Sequence, residues 1–372
     1  MSTNEVEVTA VKANAVSVRR VIEHVGNLLT DFRGAAALIA VGLPLLVMLV
    51  RTGIGFFPIG SINNFVQLTT AIPGAGHLPG GAQYLYNSMT GPFLAHFVGV
   101  DNSVDWIRFH IVMIIIGIVI MGLMAAHAAG RRFVGVLYAT FAAASVSTVL
   151  LGWVGSYDIY TLIGLTVMAL SRWGWIAIFG GIIVGTTNIE MGAAAFVALV
   201  VVGWADGRLQ IWNAVGAAAG LIIGHGLLLW WQHSHGVSGS RLGYAEAYGI
   251  DKIWHLSTHS LPALAMTWMG AATLLVGWTW LHRVSNRWRI VVALVIAILP
   301  GMLALDETRV SAVVVWPVVA WLVARSFKKM PGPTSAAAAA TLIVALVVPP
   351  VFMWEGAVHV VTWFPQIVAA TK

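Results

Sequence analysis

The stretch of the sequence with the most chemical potential is Asp306 to Arg309, which reads Asp-Glu-Thr-Arg. It puts two carboxylates, a hydroxyl and a guanidinium between two apolar runs, 291–305 and 310–323. Ionisable groups at the edge of membrane hydrocarbon are costly, so they indicate a functional site by default. Arg309 could bind a phosphate through paired hydrogen bonds, while Asp306 could accept a proton from an attacking hydroxyl. The simpler alternative is a tight turn in which Arg309 pairs with Asp306 for structural reasons alone.

Two more short turns between apolar runs carry a carboxylate, Asp158 in one and Glu190 in the other. Local roles explain the residue types. Asp158 could cap the helix that follows it, and Asn188 could cap the helix in which Glu190 favours the dipole. They do not explain why carboxylates recur at one membrane depth. We therefore expect Asp158, Glu190 and Asp306 to face one polar cavity as candidate catalytic acids or bases.

Polar and aromatic side chains that the predicted topology puts on the same side are candidates for binding the substrate. They are Arg309, Thr308, Glu307, Asn188, Tyr84, His96 and Arg241. Four histidines have spacings that a metal could use, namely His233, His235, His255 and His259. The sequence has no cysteine and no His-Glu-x-x-His pattern, and exposed histidines are the more ordinary interpretation. A divalent metal ion stays an open alternative, and no metal site is predicted.

The composition sets the class of protein that must position these residues. Of 372 residues, 59% are hydrophobic and only 9% are charged, whereas a soluble domain has about 25% charged residues. The fold class predicted is therefore all-α, a polytopic helical bundle in a membrane. No phosphate loop or dinucleotide fingerprint is present. The net charge of +6 needs no nucleic-acid partner, because the basic residues lie where a membrane topology favours them.

Apolar runs predict about eleven membrane spans joined by short connections and two longer loops. The spans cover residues 34–50, 109–129, 133–153, 158–171, 173–187, 190–204, 212–231, 261–281, 289–305, 310–325 and 336–355. The outer loop 51–107 is too apolar for a linker and predicts helices lying along the membrane surface. A second outer loop covers 232–260, and 356–372 forms an outer tail. The first segment, 1–33, predicts an amphipathic helix on the membrane surface, because apolar residues repeat at helical spacing in 18–32.

The distribution of basic residues predicts the orientation. With the N-terminus in the cytoplasm, fourteen of the 20 Lys and Arg residues fall on the inner side, which is the bias that inner loops carry. The outer six are Arg51, Arg108, Arg241, Lys252, Arg309 and Lys372. The C-terminus is then outside the cytoplasm, and the expected location is a bacterial inner membrane.

Short motifs add a resemblance to a known class of enzyme. They are the segment 84–96, the turn Trp153 to Thr161, Asn188-Ile-Glu190 and Asp306-Glu-Thr-Arg-Val310. Their order resembles that in a group of bacterial polytopic membrane proteins, and the layout is similar to the C-type (GT-C) superfamily of polyprenyl-phosphate-sugar glycosyltransferases. The superfamily usually has its catalytic acid just after the first span, where residues 51–64 contain none. The resemblance therefore implies another base, or a scaffold without that chemistry.

The first function expected is transfer of a sugar or related group from a lipid-phosphate donor, on the outer face, to a glycan or lipid acceptor. Membrane lipids and a polyprenyl-phosphate-linked sugar are the expected partners. A transporter or flippase for a lipid or small molecule is the second hypothesis, and it requires polar residues that continue toward the inner side. The sequence offers few of these besides His225 and Asn213. A histidine-based metal or haem protein in the membrane is the third.

Overall fold

Helices dominate the computed structural model, which describes residues 3–72, 77–205, 211–239, 268–282, 287–302, 304, 307–354 and 357–360. The helices are α1 Thr3–Thr30, α2 Ala36–Thr52, α3 Ile59–Ala71, a 3-10 helix Gly80–Asn87, α4 Thr90–Phe97, α5 Ser103–Ala129, α6 Phe133–Ala143, α7 Ser145–Gly152, α8 Asp158–Leu170, α9 Gly174–Gly185, α10 Ile189–Ala205, α11 Ile211–Ser234, α12 Ala272–Leu281, α13 Arg287–Met302, α14 Glu307–Lys329 and α15 Pro331–Val347. Strands β1 Val351–Trp354 and β2 Ala357–Val360 form one antiparallel hairpin.

Three of the described helices, α5, α11 and α14, are long and apolar enough to cross a membrane. The bent pair α6 and α7 would add a fourth span. Six shorter apolar helices, α2, α8, α9, α10, α12 and α15, fall on other predicted spans. The prediction of a helical protein with apolar, membrane-length helices is therefore confirmed. The number eleven, the GT-C-like arrangement and the orientation in the membrane stay predictions.

The predicted span 133–153 is not one continuous helix. It consists of α6 and α7, which meet at an angle of 73°. The break lies at Ala144, whose backbone is extended with φ −83° and ψ 151°. The carbonyl of Ala142 accepts hydrogen bonds from Arg51 Nη1 at 3.1 Å and from Ser147 Oγ at 3.3 Å. These two donors compensate for helical bonds lost at the break, and no proline or glycine lies next to Ala144 to signal it.

The last predicted span, 336–355, is also wrong at its end. Helix α15 begins at Pro331 and ends at Val347, and residues 349 and 350 are both proline. Because proline has no backbone N–H and restricts the residue before it, the pair ends the helix. The chain then forms β1, which belonged to the predicted span, and β2, which belonged to the predicted tail 356–372.

Two helices at the centre of the bundle, α8 and α14, run side by side in the same direction. Arg309 meets Asp158 near the start of both helices, and Trp316 Nε1 donates to Thr166 Oγ1 at 3.0 Å further along. Every residue of α8 is buried, as is every residue of α6 and α7. We call the two ends of this pair the Arg309 end and the Arg172 end. The predicted topology makes them the outer and the inner end.

The pair α9 and α11 packs more closely than side chains would allow. A methyl group at Gly216 would collide with the carbonyl oxygen of Gly174, and one at Gly181 would lie 2.5 Å from the carbonyl oxygen of Ala217. Such contacts need glycine on both helices, as is common where membrane helices associate. Since α9 lies against α8, it carries the turn with Asn188 to the Arg309 end.

The segment before the first span is helical, as predicted, and α1 is longer than the predicted amphipathic stretch. It packs on the bundle, because Gly26 lies against the backbone of Ser335 and Ala336 and Leu29 is fully buried. Helices are also present in the loop 51–107, namely α3, the 3-10 helix and α4. Whether these helices and α1 lie on the membrane surface stays a prediction.

Candidate functional site

A buried ion pair joins two of the predicted site residues. Arg309 Nε lies 2.6 Å from Asp158 Oδ2, and the two residues are only 8% and 1% exposed. Ser156 Oγ also donates to Asp158 Oδ2, at 2.7 Å. The spatial expectation for these two turns is therefore met: residues 151 positions apart in the sequence lie in direct contact.

The helix directions explain why the arginine needs this carboxylate. Both residues lie in the first turn of their helices, and the N-terminal end of a helix carries partial positive charge. Asp158 is favourable there, whereas Arg309 is not. A guanidinium buried beside two positive helix ends requires an anionic partner, and Asp158 supplies it.

Aromatic rings surround the guanidinium carbon of Arg309. It lies 4.6 Å from the ring centre of Tyr157, 5.2 Å from that of Trp153 and 5.4 Å from that of Phe57. These distances are within the range of cation–π attraction. The rings both stabilise the cation and shield it from water, and we call Phe57, Trp153 and Tyr157 the aromatic cage.

The turn that carries the cage is fixed from two sides. Its Val154 pairs with the segment after α2, because Gly55 O accepts from Val154 N at 3.0 Å and Phe57 N donates to Val154 O at 2.9 Å. On the other side, Trp106 Nε1 donates to Gly155 O at 2.9 Å. Gly155 has φ +100°, a backbone conformation that side chains rarely adopt. The position of Asp158 is therefore set by the backbone of its own turn.

The C-terminal hairpin covers the same end of the bundle. Thr308 Oγ1 accepts a hydrogen bond from the backbone N–H of Met353 at 2.7 Å, and both residues are buried. The ring of Phe352 contacts that of Trp153 at 6.4 Å between ring centres. Thr308 was predicted to bind the substrate, but in this structure its hydroxyl holds the hairpin.

Asp158 does not cap its helix, contrary to the local role considered for it. The residue before α8 is Tyr157, which makes no side-chain cap, and the carboxylate turns toward Arg309. Its Oδ1 is buried and has no hydrogen-bond partner among the described residues. In this arrangement the carboxylate neutralises Arg309, so it could act as a base only if another anion replaced it on the guanidinium.

The second acidic turn lies at the same end but in a different environment. Asn188 Oδ1 accepts from Met191 N at 3.3 Å, which confirms the helix cap predicted for this residue. Asn188 is 1% exposed, whereas Glu190 is exposed. The expectation that Glu190 and Asp158 share one polar cavity is therefore wrong: Asp158 is sealed in protein and Glu190 is not.

Among the remaining predicted residues of the first loop and of α11, His96 and His235 have local partners. His96 Nδ1 lies 3.1 Å from the carbonyl oxygen of Thr69, and Tyr84 is half-buried in the 3-10 helix. His233 is exposed, and His235 Nδ1 lies 2.8 Å from the carbonyl oxygen of Trp231. No group of three metal-ligating side chains occurs in the part of the chain that the structure describes.

Several predicted residues lie outside the described part of the chain. They are Asp306, Arg241, His255, His259 and the side chain of Glu307. Their roles stay predictions.

The Arg172 end holds a cavity of about 110 Å³ between α5, α8, α10, α11 and α14. Three cations line it: Arg172 from the turn after α8, and Arg325 and Lys328 from α14. Ser171 and Asn213 add polar groups. Arg172 and Lys328 are exposed, so the cavity opens at this end of the bundle.

Local contacts position the cations of this cavity. Arg172 Nη2 donates to the carbonyl oxygen of Ala128 at 2.6 Å, and Arg325 lies over the ring of Trp321 at 5.3 Å. Asn213 Nδ2 donates to the carbonyl oxygen of Ser171 at 2.6 Å. A guanidinium has five N–H donors, so one bond to Ala128 leaves Arg172 capacity for a ligand.

Sequence reasoning missed the aromatic cage and the cavity. The sequence predicted no role in a site for Phe57, Trp153 or Tyr157. Arg172, Arg325 and Lys328 counted only among the basic residues that predict the orientation. Asn213 was the one signal for the cavity, because it is a polar residue near the predicted inner end of a span.

No protein-family model, curated protein sequence or solved structure matches the chain, so the two ends are interpreted from their own geometry.

Proposed function

We propose that the protein is a membrane transporter for an anionic solute or lipid headgroup, and that α8 and α14 form its moving contact. The observation that supports this proposal is the difference between the two ends of α14. One end is sealed by the pair of Arg309 and Asp158, and the other forms a wall of an open cavity. Arg309 and Arg325 are about 24 Å apart along the helix, from a rise of 1.5 Å per residue.

Polar residues between the two ends support a route along this contact. Thr161 and Ser311 are both fully buried, and neither hydroxyl has a hydrogen-bond partner among the described residues. A buried hydroxyl without a protein partner can bond to a solute that passes between the helices. The hypothesis of a transporter requires polar residues that continue toward the inner side. The polar lining of the cavity supports it, because the predicted topology makes the Arg172 end the inner end.

Alternating access follows from the chemistry of the seal. An ion pair can open as a unit, because its two members lie on different helices. On separation Arg309 can bind water or a solute anion, and Asp158 can bind water. The broken helix α6 and α7 fits the same proposal, since interrupted helices are tolerated at membrane depth where they are buried in protein or line a cavity.

The test uses the absence of cysteine from the chain, which allows single thiols to be introduced without a background. Ser311→Cys reports on the interior near the Arg309 end, and Ala324→Cys reports on the cavity, which Ala324 lines. Ser234→Cys, exposed at the Arg309 end of α11, marks that face of a vesicle. A membrane-impermeant thiol reagent is applied to each face separately.

We expect the reagent to modify Ala324→Cys from the Arg172 face and to leave Ser311→Cys unmodified. In a background that also carries Asp158→Asn and Arg309→Gln, Ser311→Cys should react from the Arg309 face and Ala324→Cys should react more slowly. If Ser311→Cys stays unreactive there while Ser234→Cys reacts, the ion pair does not seal a route. If both interior thiols react faster, the protein forms a leak or channel, which contradicts alternating access.

A lipid-phosphate-dependent glycosyltransferase is the second candidate, and one observation favours it. The pair of Arg309 and Asp158 puts a possible phosphate-binding cation next to a possible base, beside Phe57 of the first loop. For catalysis the donor phosphate must take Arg309 from Asp158, which would free the carboxylate to accept a proton from the acceptor hydroxyl. The acceptor oxygen then forms a bond to the anomeric carbon of the sugar while the bond between that carbon and the phosphate oxygen breaks, and the lipid phosphate leaves bound to Arg309.

Purified protein with a radiolabelled polyprenyl-phosphate sugar tests this candidate. Transfer of label to an acceptor, abolished by Asp158→Asn, would support it. Transfer that persists in Asp158→Asn would exclude Asp158 as the base.

A further inference from the structure

The residues that line the cavity at the Arg172 end indicate the chemical class of its ligand. We infer that this cavity binds a phosphate group, carried either by a lipid headgroup or by a free phosphate ester. The inference names the substrate class of the proposed transporter and rests on that proposal for its role, while the binding itself can be tested alone.

The charge of the lining favours an anionic ligand. Arg172, Arg325 and Lys328 point to an anion, and none of the described lining residues is Asp or Glu. The connection 206–210 between α10 and α11 lies outside the described residues. It carries one carboxylate, Asp206, and one cation, Arg208. Three cations around one cavity favour a ligand with more than one negative charge, as a phosphate monoester has at neutral pH.

The positions of the three cations suit one phosphate group. Arg325 and Lys328 are three residues apart on α14, so they lie on one face of the helix. Arg172 approaches from the turn that joins α8 to α9, and its bond to Ala128 O fixes its direction. Cations that come from two walls can contact separate oxygens of one phosphate, with paired hydrogen bonds from each guanidinium.

The apolar part of the lining favours a phosphate that carries an organic group. Met168, Phe196, Leu199 and Trp321 line the cavity beside the cations. A free inorganic ion would need no such surface, whereas the glycerol or acyl portion of a phosphate ester would contact it. Basic pockets between membrane helices bind anionic headgroups for this reason.

The experiment measures binding of three probes to the full chain in nanodiscs of neutral phosphatidylcholine. The probes are inorganic phosphate, glycerol 3-phosphate and phosphatidic acid, the last incorporated into the bilayer. The cavity variant carries Arg172→Gln, Arg325→Gln and Lys328→Gln. The matched control carries Arg131→Gln, Arg132→Gln and Lys329→Gln, which remove the same charge from exposed residues that do not line the cavity.

We expect glycerol 3-phosphate or phosphatidic acid to bind, and each arginine to contribute about tenfold or more in affinity, as charge-assisted hydrogen bonds do. The cavity variant should therefore lose at least a hundredfold, whereas the control should change little. Binding of phosphatidic acid alone assigns the phosphate to a lipid, and binding of glycerol 3-phosphate assigns it to a free ester. Absence of binding by all three probes, or equal loss in the cavity variant and its control, overturns the inference.

Phosphate binding and thiol labelling test the two proposals independently. If a phosphate binds but the thiol of Ser311→Cys never becomes reactive in the neutralised background, the site stands and the transport proposal fails. If the thiols alternate in reactivity and no phosphate probe binds, transport stands and the substrate class assigned here is wrong.

Discussion

Cationic side chains lie at both ends of α14, in opposite environments. At one end a single arginine, Arg309, is 8% exposed, bonded to a carboxylate and surrounded by aromatic rings. At the other end Arg172 and Lys328 are exposed, and Arg325 is half-buried beside a cavity. The comparison teaches that burial, and not residue type, decides whether a cation serves the fold or can serve a ligand.

The physical reason is the cost of removing charge from water. A buried guanidinium without a partner is strongly unfavourable, so the fold must supply an anion for as long as the guanidinium stays buried. An exposed cation keeps its water and needs no permanent partner. Its water can be exchanged for a phosphate when one arrives. Substitutions at the two ends should therefore differ in size and in kind.

The largest effect is expected at the Arg309 end. Arg309→Ala leaves Asp158 buried with Ser156 as its only described partner, and breaking a buried pair in this way costs about 3–5 kcal/mol. The free energy of unfolding in mixed micelles is the measurement. Replacing both members, with Arg309→Met and Asp158→Leu, should recover most of the loss because no charge is then buried. Equal losses in the single and double variants would mean that packing, and not charge, is what Arg309 contributes.

The next effect tests the shape of the Arg172 end without changing any charge. Gly216→Ala forces α11 away from Gly174 and should lower the free energy of unfolding by about 2 kcal/mol, as overpacking does. Because α11 also carries Asn213 into the cavity, phosphate binding should weaken in parallel. Gly226→Ala on the same helix is the matched control, since a methyl group there meets no atom within 4 Å. A stable Gly216→Ala variant would show that the two helices can separate at little cost.

The third effect concerns the cover over the Arg309 end. Thr308→Val removes the acceptor for the buried N–H of Met353, and an unmade bond of this kind costs about 1 kcal/mol or more. Hydrogen exchange of residues 351–360 should become faster, while Thr308→Ser, which keeps a hydroxyl, should exchange at the original rate. Unchanged exchange in Thr308→Val would mean that the hairpin is held by its ring contacts.

The sequence predicts much of this arrangement because membrane helices are specified by local composition. Apolar runs located α2, α5 and α8 to within a few residues, except that α5 begins six residues earlier than predicted. The cap at Asn188 was predictable for the same reason, since it depends on a bond within one turn. Asp158 was predicted to be a site residue. Its contact with α14 was predicted only as a general expectation that the turns lie close together.

What the sequence could not show depends on contacts between distant segments. The break at Ala144 has no local signal, because the carbonyl of Ala142 accepts from Arg51 of another helix. The residues of the aromatic cage precede Arg309 by 152 positions or more. The open cavity is formed by five helices. A topology based on apolar runs counts Arg172 and Arg309 alike as charges at span ends. Only the packing separates the sealed one from the open one.

The smallest effect on stability is expected from Arg172→Ala, and it completes the comparison with Arg309→Ala. Arg172 is exposed, so its free energy of unfolding should change by no more than about 0.5 kcal/mol, the usual range for surface substitutions. The bond to Ala128 O is lost, but water can replace it at an exposed position. If Arg172→Ala destabilised the protein as strongly as Arg309→Ala, its guanidinium would be part of the fold. The cavity would then have one fewer cation for a ligand. A small change in stability together with loss of phosphate binding is the combination that only a ligand-binding cation would give.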